Sequence, residues 1–281
     1  MPMTDTTDVT ALQALTKWID AHPVSGSPRD MRRAFATLAG PQPRLGRSQI
    51  AGIDCPAVGK GPPNVLWLHG GGYVFGGVES HANCALALAT ALGGRVTLPL
   101  YPLAPENPWP AQLTAMQRVL ATLPQKVHLV GDSAGGHLAL CLAISRPDAV
   151  SSLALISPNT DRSGQSTTRA ANSESDPMND DAQDNALAEM AGVTPDALLA
   201  SPHLEALDDL PPTFLTYSDT EVLADDARLL VGSLERAGVP VTCQIAQGLP
   251  HMWTLWPDRL PQAPRTLADI ARFITAHEAH P

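Results

Sequence analysis

Apolar positions along this chain fall into two rhythms that alternate. Short apolar runs at Val65–Leu68, Arg95–Leu100, Val127–Val130, Leu153–Ile156, Thr213–Tyr217 and Val241–Ile245 predict strands. Between and after them, residues 80–92, 111–123, 134–145, 223–237 and 265–277 carry helical spacing. Short apolar strands that alternate with helices predict an α/β chain with a mostly parallel sheet covered on both faces. Two further amphipathic helices are predicted ahead of the first strand, at 9–21 (Leu12, Leu15, Trp18, Ile19) and 28–39 (Met31, Phe35, Leu38). The breaker His22-Pro23-Val24-Ser25-Gly26 separates them, and Gly40-Pro41-Gln42-Pro43 ends them, which places a boundary near residue 45. Residues 161–206 interrupt the alternation with a polar stretch that turns weakly helical around 181–200. An insertion after a sheet strand belongs at the carboxyl edge of the sheet, where ligands bind.

Composition adjusts this picture only slightly. With 281 residues, 44% hydrophobic and 16% charged, the chain can bury the core of one large α/β domain with additions, or of two small domains. A formal net charge of −10 without a basic cluster argues against nucleic acid and against an anionic membrane surface as partners. The first residues, Met1 to Asp8, lack a secretory pattern, and no run reaches the ~18 apolar residues of a membrane span, so a cytoplasmic protein is expected. Cys55, Cys84, Cys141 and Cys243 are scattered without a C-x-x-C pair, and are expected as buried thiols rather than disulfides or metal ligands.

Four stretches carry chemistry. Gly131-Asp132-Ser133-Ala134-Gly135 lies between a predicted strand and a predicted helix. A sharp strand-to-helix turn leaves no room for side chains at Gly131 and Gly135 and thrusts the serine hydroxyl outward at a helix N-terminus; the blander reading is a glycine-rich turn with a passenger serine. His69-Gly70-Gly71-Gly72-Tyr73 follows a buried strand, and its glycines free backbone N–H groups to hold the oxyanion of an acyl-transfer intermediate. His69 is expected to brace that loop rather than act as a base. Gly248-Leu249-Pro250-His251 follows the last predicted strand, where a histidine could swing over the serine; His128, His137, His277 and His280 have blander placements. Tyr217 to Asp226 supplies carboxylates that could orient such a base, although Asp219 and Asp226 could equally be helix caps or first-turn acids. The order nucleophile, acid, histidine is that of the α/β-hydrolase fold, and no G-x-G-x-x-G supports a dinucleotide site.

Together with Tyr101-Pro102-Leu103-Ala104-Pro105-Glu106-Asn107-Pro108-Trp109-Pro110-Ala111, these blocks resemble the bacterial hormone-sensitive-lipase-like carboxylesterases. The resemblance implies an α/β-hydrolase domain over 46–281, N-terminal cap helices over 1–45 and a cap insertion at 161–206. It implies Ser133 as nucleophile, His251 as general base, and an oxyanion hole from the N–H groups of Gly71, Gly72 and Ala134. Its acid register falls on Glu221-Val222-Leu223-Ala224-Asp225, so Glu221 is expected as the triad acid, with Asp219 the alternative. Short- to medium-chain carboxylic esters are the expected substrates, with no metal and no organic cofactor. Lactone or amide hydrolysis by the same residues is the nearest alternative. A catalytically idle small-molecule receptor is the remaining one, against which the intact Pro250-His251 stands. Glu106 could be a buried acid beside the glycine loop or a surface acid. Trp18, Phe35, Met178, Leu187 and Met190 are candidates for an apolar lining, each equally readable as core, and edge pairing of Val241–Ile245 offers a route to a homodimer.

Overall fold

A computed structural model of the protein describes residues 6–62 and 64–278, so Met1–Asp5 and His280 lie outside it. Helices α1 (Thr6–Asp20) and α2 (Pro28–Ala39) come first, then the short strands β1 (Gln49–Ile50), β2 (Ile53–Asp54) and β3 (Ala57–Val58). The alternating body follows: β4 (Asn64–Leu68), α3 (Val78–Leu92), β5 (Arg95–Thr97), α4 (Ala111–Thr122), β6 (Val127–Asp132), α5 (Ala134–Ser145) and β7 (Val150–Ile156). Helices α6 (Thr168–Ala171) and α7 (Asp181–Ala191) lead into β8 (Thr213–Ser218), α8 (Ala224–Arg236), β9 (Val241–Ala246) and α9 (Gln262–Ala276).

One sheet runs β3-β5-β4-β6-β7-β8-β9, with β3 antiparallel to β5 and every other neighbour parallel. Each residue of β6 is buried, as a strand covered on both faces requires. Helix α5 is buried from Ala134 to Ala143, because it packs inside the molecule rather than on its surface, and it is accordingly apolar on all sides. Parallel order has a direct consequence for chemistry. The loops leaving β4, β6, β8 and β9 all emerge at one edge of the sheet and bring distant sequence positions together there.

The two leading helices pack onto this body through Leu15, Ile19, Phe35 and Leu38. Ser27 caps α2 by accepting from Asp30 N, with Pro28 at the first helical position. Arg32 then fastens α2 to the glycine loop, donating to the Val74 and Ala104 carbonyls and pairing with Glu106 at 2.6 Å. Glu106 is thus a surface acid. Gln183 of α7 donates to the Val24 carbonyl at 2.7 Å, so the leading helices and the 161–206 segment touch.

Departures from the sequence reading are local. Strand β5 stops at Thr97, where Pro99 removes a donor, while the Leu98 and Leu100 amides still bond the Pro56 and Asp54 carbonyls. Strands β1 to β3 have two residues each, too few to show a period. The helix expected around 181–200 ends at Ala191, because Gly192 takes the left-handed conformation of a C-terminal cap. Cys243 is exposed rather than buried, since β9 is an edge strand with neighbours on one side only. Among the described residues, no helix is long and apolar enough to cross a membrane.

Candidate active site

The turn from β6 to α5 places Ser133 at φ +53°, a left-handed conformation that costs a non-glycine residue energy and persists only where its surroundings hold it. Those surroundings are tight. A Cβ on Gly131 would fall on the Gly135 carbonyl, and one on Gly135 would fall on the Leu68 carbonyl. The Ser133 N–H donates to the Ile156 carbonyl at 3.0 Å, and the Ser133 carbonyl accepts from His137 N and Asn159 N.

Asp132, the residue before the serine, is fully buried and ties three elements together. Its Oδ1 accepts from Trp67 Nε1 of β4 at 2.7 Å, and its Oδ2 meets Gly70 N at 3.2 Å and His81 Nε2 of α3 at 3.0 Å. Burial alone would raise the Asp132 carboxyl, but the His81 and Trp67 contacts hold it below the ordinary carboxylate range. The glycine loop is braced from its other side. His69 stacks on Tyr101 with ring centroids 4.2 Å apart, and its Nδ1 lies 2.9 Å from the Gly70 carbonyl. Burial, with His81 alongside, pushes the His69 imidazole down to about 3, which keeps it neutral. Gly71 at φ +114° and Gly72 at φ +57° shape the loop. Among the described residues, the N–H groups of Gly71, Gly72 and Ala134 have no hydrogen-bond acceptor.

His251, in the loop after β9, is buried beside Glu221, which follows β8 and is itself closed off from solvent. His251 Nδ1 and Glu221 Oε2 are 3.0 Å apart. Glu221 accepts, so Nδ1 carries the hydrogen and Nε2 keeps its lone pair. Burial alone would lower the His251 pKa; the hydrogen bond and charge of Glu221, helped by Asp176 and Asp184, instead raise it above the ordinary value. Asp219 lies elsewhere: it is exposed and its Oδ1 accepts from Gly248 N at 2.8 Å. Asp226 is buried and accepts from Thr160 N, Asp161 N and Arg169 Nη2.

Asp176 was not legible as a site residue. Its Oδ1 accepts from His251 N at 3.2 Å and Met178 N at 3.0 Å, and its Oδ2 accepts from Val222 N at 3.1 Å. The polar stretch that carries it has no periodicity, and nothing in the sequence pairs it with position 251. Also unforeseen was a buried ionic cluster joining the 161–206 segment to α8, in which Arg169 pairs with both Asp184 and Asp226, and Arg162 with Asp184.

Two hollows meet at this edge. The larger is lined by Ser133, His251, Gly71 and Gly72 with Phe35, Phe75, Met178, Leu187 and Met252, and by the polar Asn179, Gln183 and Asp184. The smaller is lined by Gly72, Ala134, Tyr73, His137, Asn159, Arg162 and Leu187. Phe35, Met178 and Leu187 therefore line the cavity as the sequence suggested. Trp18 does not: its indole donates to the Leu38 carbonyl and carries Arg259 on its face. Met190 packs at the rim of the core instead. Among the described residues, no cluster of three or more His, Cys, Asp or Glu could hold a metal ion.

A family model described as an alpha/beta hydrolase fold matches residues 65–255. An acetyl-hydrolase of Streptomyces hygroscopicus is 33% identical over 222 residues, covering 75% of this chain and 74% of its own. An esterase of Acinetobacter venetianus is 29% identical over 245 residues, covering 81% and 79%. Among solved structures, an esterase of the bacterial hormone-sensitive lipase family superposes with a TM-score of 0.88 at 29% identity, covering 95% of this chain and 98% of that one.

Proposed function

The chain belongs to the α/β-hydrolase family, among its hormone-sensitive-lipase-like esterases, and is a carboxylic ester hydrolase; from that premise we propose that it works through Ser133, His251 and Glu221 by way of an acyl-enzyme. The observation that carries this reading is the buried His251–Glu221 pair at 3.0 Å, opening on the same hollow as Ser133. Ser133 Oγ attacks the ester carbonyl while His251 Nε2 takes its proton, and Glu221 steadies the imidazolium. The N–H groups of Gly71, Gly72 and Ala134 receive the oxyanion; a single such donor contributes on the order of 10²–10³ in kcat. His251 then hands the proton to the departing alcohol. A water that loses its proton to His251 releases the acid and restores Ser133.

The route of the proton orients the substrate. The leaving alcohol must lie within reach of His251, so we infer that it occupies the larger hollow, which His251 lines. The acyl group is left the smaller hollow, walled by Tyr73, His137, Asn159 and Arg162 with Leu187, Ala188 and Val193. A small acyl side supports short- to medium-chain acids, and the name of the Streptomyces relative, an acetyl-hydrolase, agrees with that.

Hydrolysis of p-nitrophenyl esters from acetate to palmitate, with Ser133→Ala beside the parent, tests the reading. Turnover that peaks at short or medium chains and vanishes in the variant is expected. Undiminished turnover in Ser133→Ala would overturn it, and a folded protein active only on lactones or amides would redirect it to those substrates.

We also infer a homodimer formed by antiparallel pairing of two β9 edges. Strand β9 bonds only β8, and Thr242, Cys243 and Ile245 on it are exposed. Sedimentation should give twice the chain mass, and Ile245→Glu the single mass; a parent that sediments as a monomer sinks the inference.

A further inference from the structure

Among the buried carboxylates that the reaction scheme leaves unused, Asp176 touches the loops of both the base and the acid. Asp176 belongs to the cap segment between α6 and α7 and is only 6% exposed. One of its oxygens accepts from the backbone N–H of His251 and the other from that of Val222, the residue after Glu221. A single side chain thereby grips the base loop at the base itself and the acid loop one residue past the acid. Those loops leave different strands, β9 and β8; Gly248 N and Leu249 N tie them near the strand ends, and Asp176 ties them at the acid and the base.

We propose that Asp176 is a positioning residue for ester hydrolysis: its carboxylate, delivered by the cap, sets His251 against Glu221 and adds negative charge beside the imidazole. The proposal rests on the assignment of His251 and Glu221 as base and acid. The geometry demands a carboxylate. Both oxygens act as acceptors, so an amide in its place would turn an N–H toward either Val222 N or His251 N. A misplacement of about 1 Å in catalytic geometry costs roughly 10²-fold in rate, so a clamp on both loops bears directly on turnover.

Three acids face His251: Glu221 from the loop after β8, Asp176 from the cap and Asp184 from α7. Asp176 faces His251 and Glu221 in turn. Burial lifts its pKa to about 6, with the positive His251 opposing and the negative Glu221 adding to that rise. Protonation of His251 during turnover therefore favours the ionised form of Asp176, which in turn supports the imidazolium.

The test is the pH profile of kcat/KM for p-nitrophenyl butyrate in Asp176→Asn, Asp176→Glu and Glu221→Gln. Asp176→Asn should lower kcat by about 10- to 100-fold with KM changed less than about threefold. It should also move the acid limb to lower pH, because a negative charge that favoured imidazolium has gone. A role confined to holding the cap would lower thermal stability and raise KM while leaving the acid limb in place, and that result overturns the proposal. Asp176→Glu keeps the charge and displaces the clamp by a methylene, so an unmoved acid limb with reduced kcat is expected; parental kcat would overturn the idea, even if Asp176→Asn failed to fold. Glu221→Gln separates the two levels of inference. If it keeps parental kcat, the assignment of acid and base fails; if it is impaired while Asp176→Asn is parental, only the role of Asp176 fails.

Discussion

Leu187 presses on Gly72: a Cβ on the glycine would lie 2.8 Å from Leu187 Cδ1. The leucine comes from α7 and the glycine from the loop proposed to offer N–H groups to the oxyanion. Leu187 also lines both hollows, as Gly72 and Asp184 do, and is the apolar side chain common to the proposed alcohol and acyl sides. Leu187→Ala should therefore join them. The hexanoate-to-acetate ratio of kcat/KM should rise by about tenfold or more, since each methylene accommodated in an apolar pocket changes kcat/KM by roughly 10- to 200-fold. Stability should fall by about 2 kcal/mol, the low end for a buried leucine, because the site borders a cavity. An unchanged ratio would mean that the partition lies elsewhere.

Glu221 and Asp219 are distinguished by one comparison. Glu221→Gln should reduce kcat by roughly 10³- to 10⁴-fold, the loss seen when the orienting carboxylate of such a triad is removed. Asp219→Asn should stay within about threefold of the parent, since Asp219 holds only the Gly248 amide. The proposed mechanism needs neutral His251, whose pKa is raised, so turnover should fall as pH drops through that raised value. In Glu221→Gln the residual activity should persist to lower pH. The reverse pattern, with Asp219→Asn inactive, would move the acid.

The elbow leaves no room for a methyl group. Gly135→Ala would drive a Cβ into the Leu68 carbonyl oxygen, and backbone cannot swing aside as a flexible side chain can. A loss above about 4 kcal/mol is expected, enough to abolish soluble expression or the cooperative melt. Gly232→Ala is the control. It lies in α8, where a new Cβ would be 3.3 Å from Arg236 Nη1, the movable end of a side chain. Equal or slightly higher stability, up to about 1 kcal/mol, is expected there. A native-like melt for Gly135→Ala would contradict the packing of the elbow.

Arg169 stands between two buried acids. Burial would raise Asp184, but Arg162 and Arg169 bring it well below the ordinary carboxylate range; burial keeps Asp226 raised despite Arg169. A depressed carboxyl contributes stability above its unfolded pKa and loses it as pH falls through the folded value. Arg169→Met strands Asp226 and leaves Asp184 with Arg162 as its cation, and should cost about 3–5 kcal/mol near neutral pH. Without Arg169 both folded pKa values climb, so protonation relieves the acids as pH falls and the deficit shrinks. Urea unfolding at about pH 7 and about pH 5 decides it; a deficit that is the same at both would mean that the cluster does not couple to protons.

The alternating body was legible because β4, β6, β7 and β8 are long enough and buried enough to leave apolar runs. The motifs around Ser133, Gly71, Gly72 and His251 are local, and the fold brings those four residues to one hollow. Strands β1 to β3 and the C-terminal end of α7 escaped because two-residue strands and a glycine stop have no period. Asp176 escaped for another reason. Its partners lie 46 and 75 positions away, and what it recognises is backbone, which any residue could supply. The Arg169 cluster likewise joins α6, α7 and α8 through side chains whose pairing only the fold decides.

Asp132 occupies the position that the pattern G-x-S-x-G leaves open. Its oxygens hold Trp67 of β4, Gly70 of the glycine loop and His81 of α3. The wildcard is thus an address: it specifies which strand, loop and helix this elbow is keyed to. Transplanting Gly131–Gly135 into another scaffold of the same fold would carry half a lock without its tumblers. A graft designed by motif alone should fail unless Trp67, Gly70 and His81 travel with it.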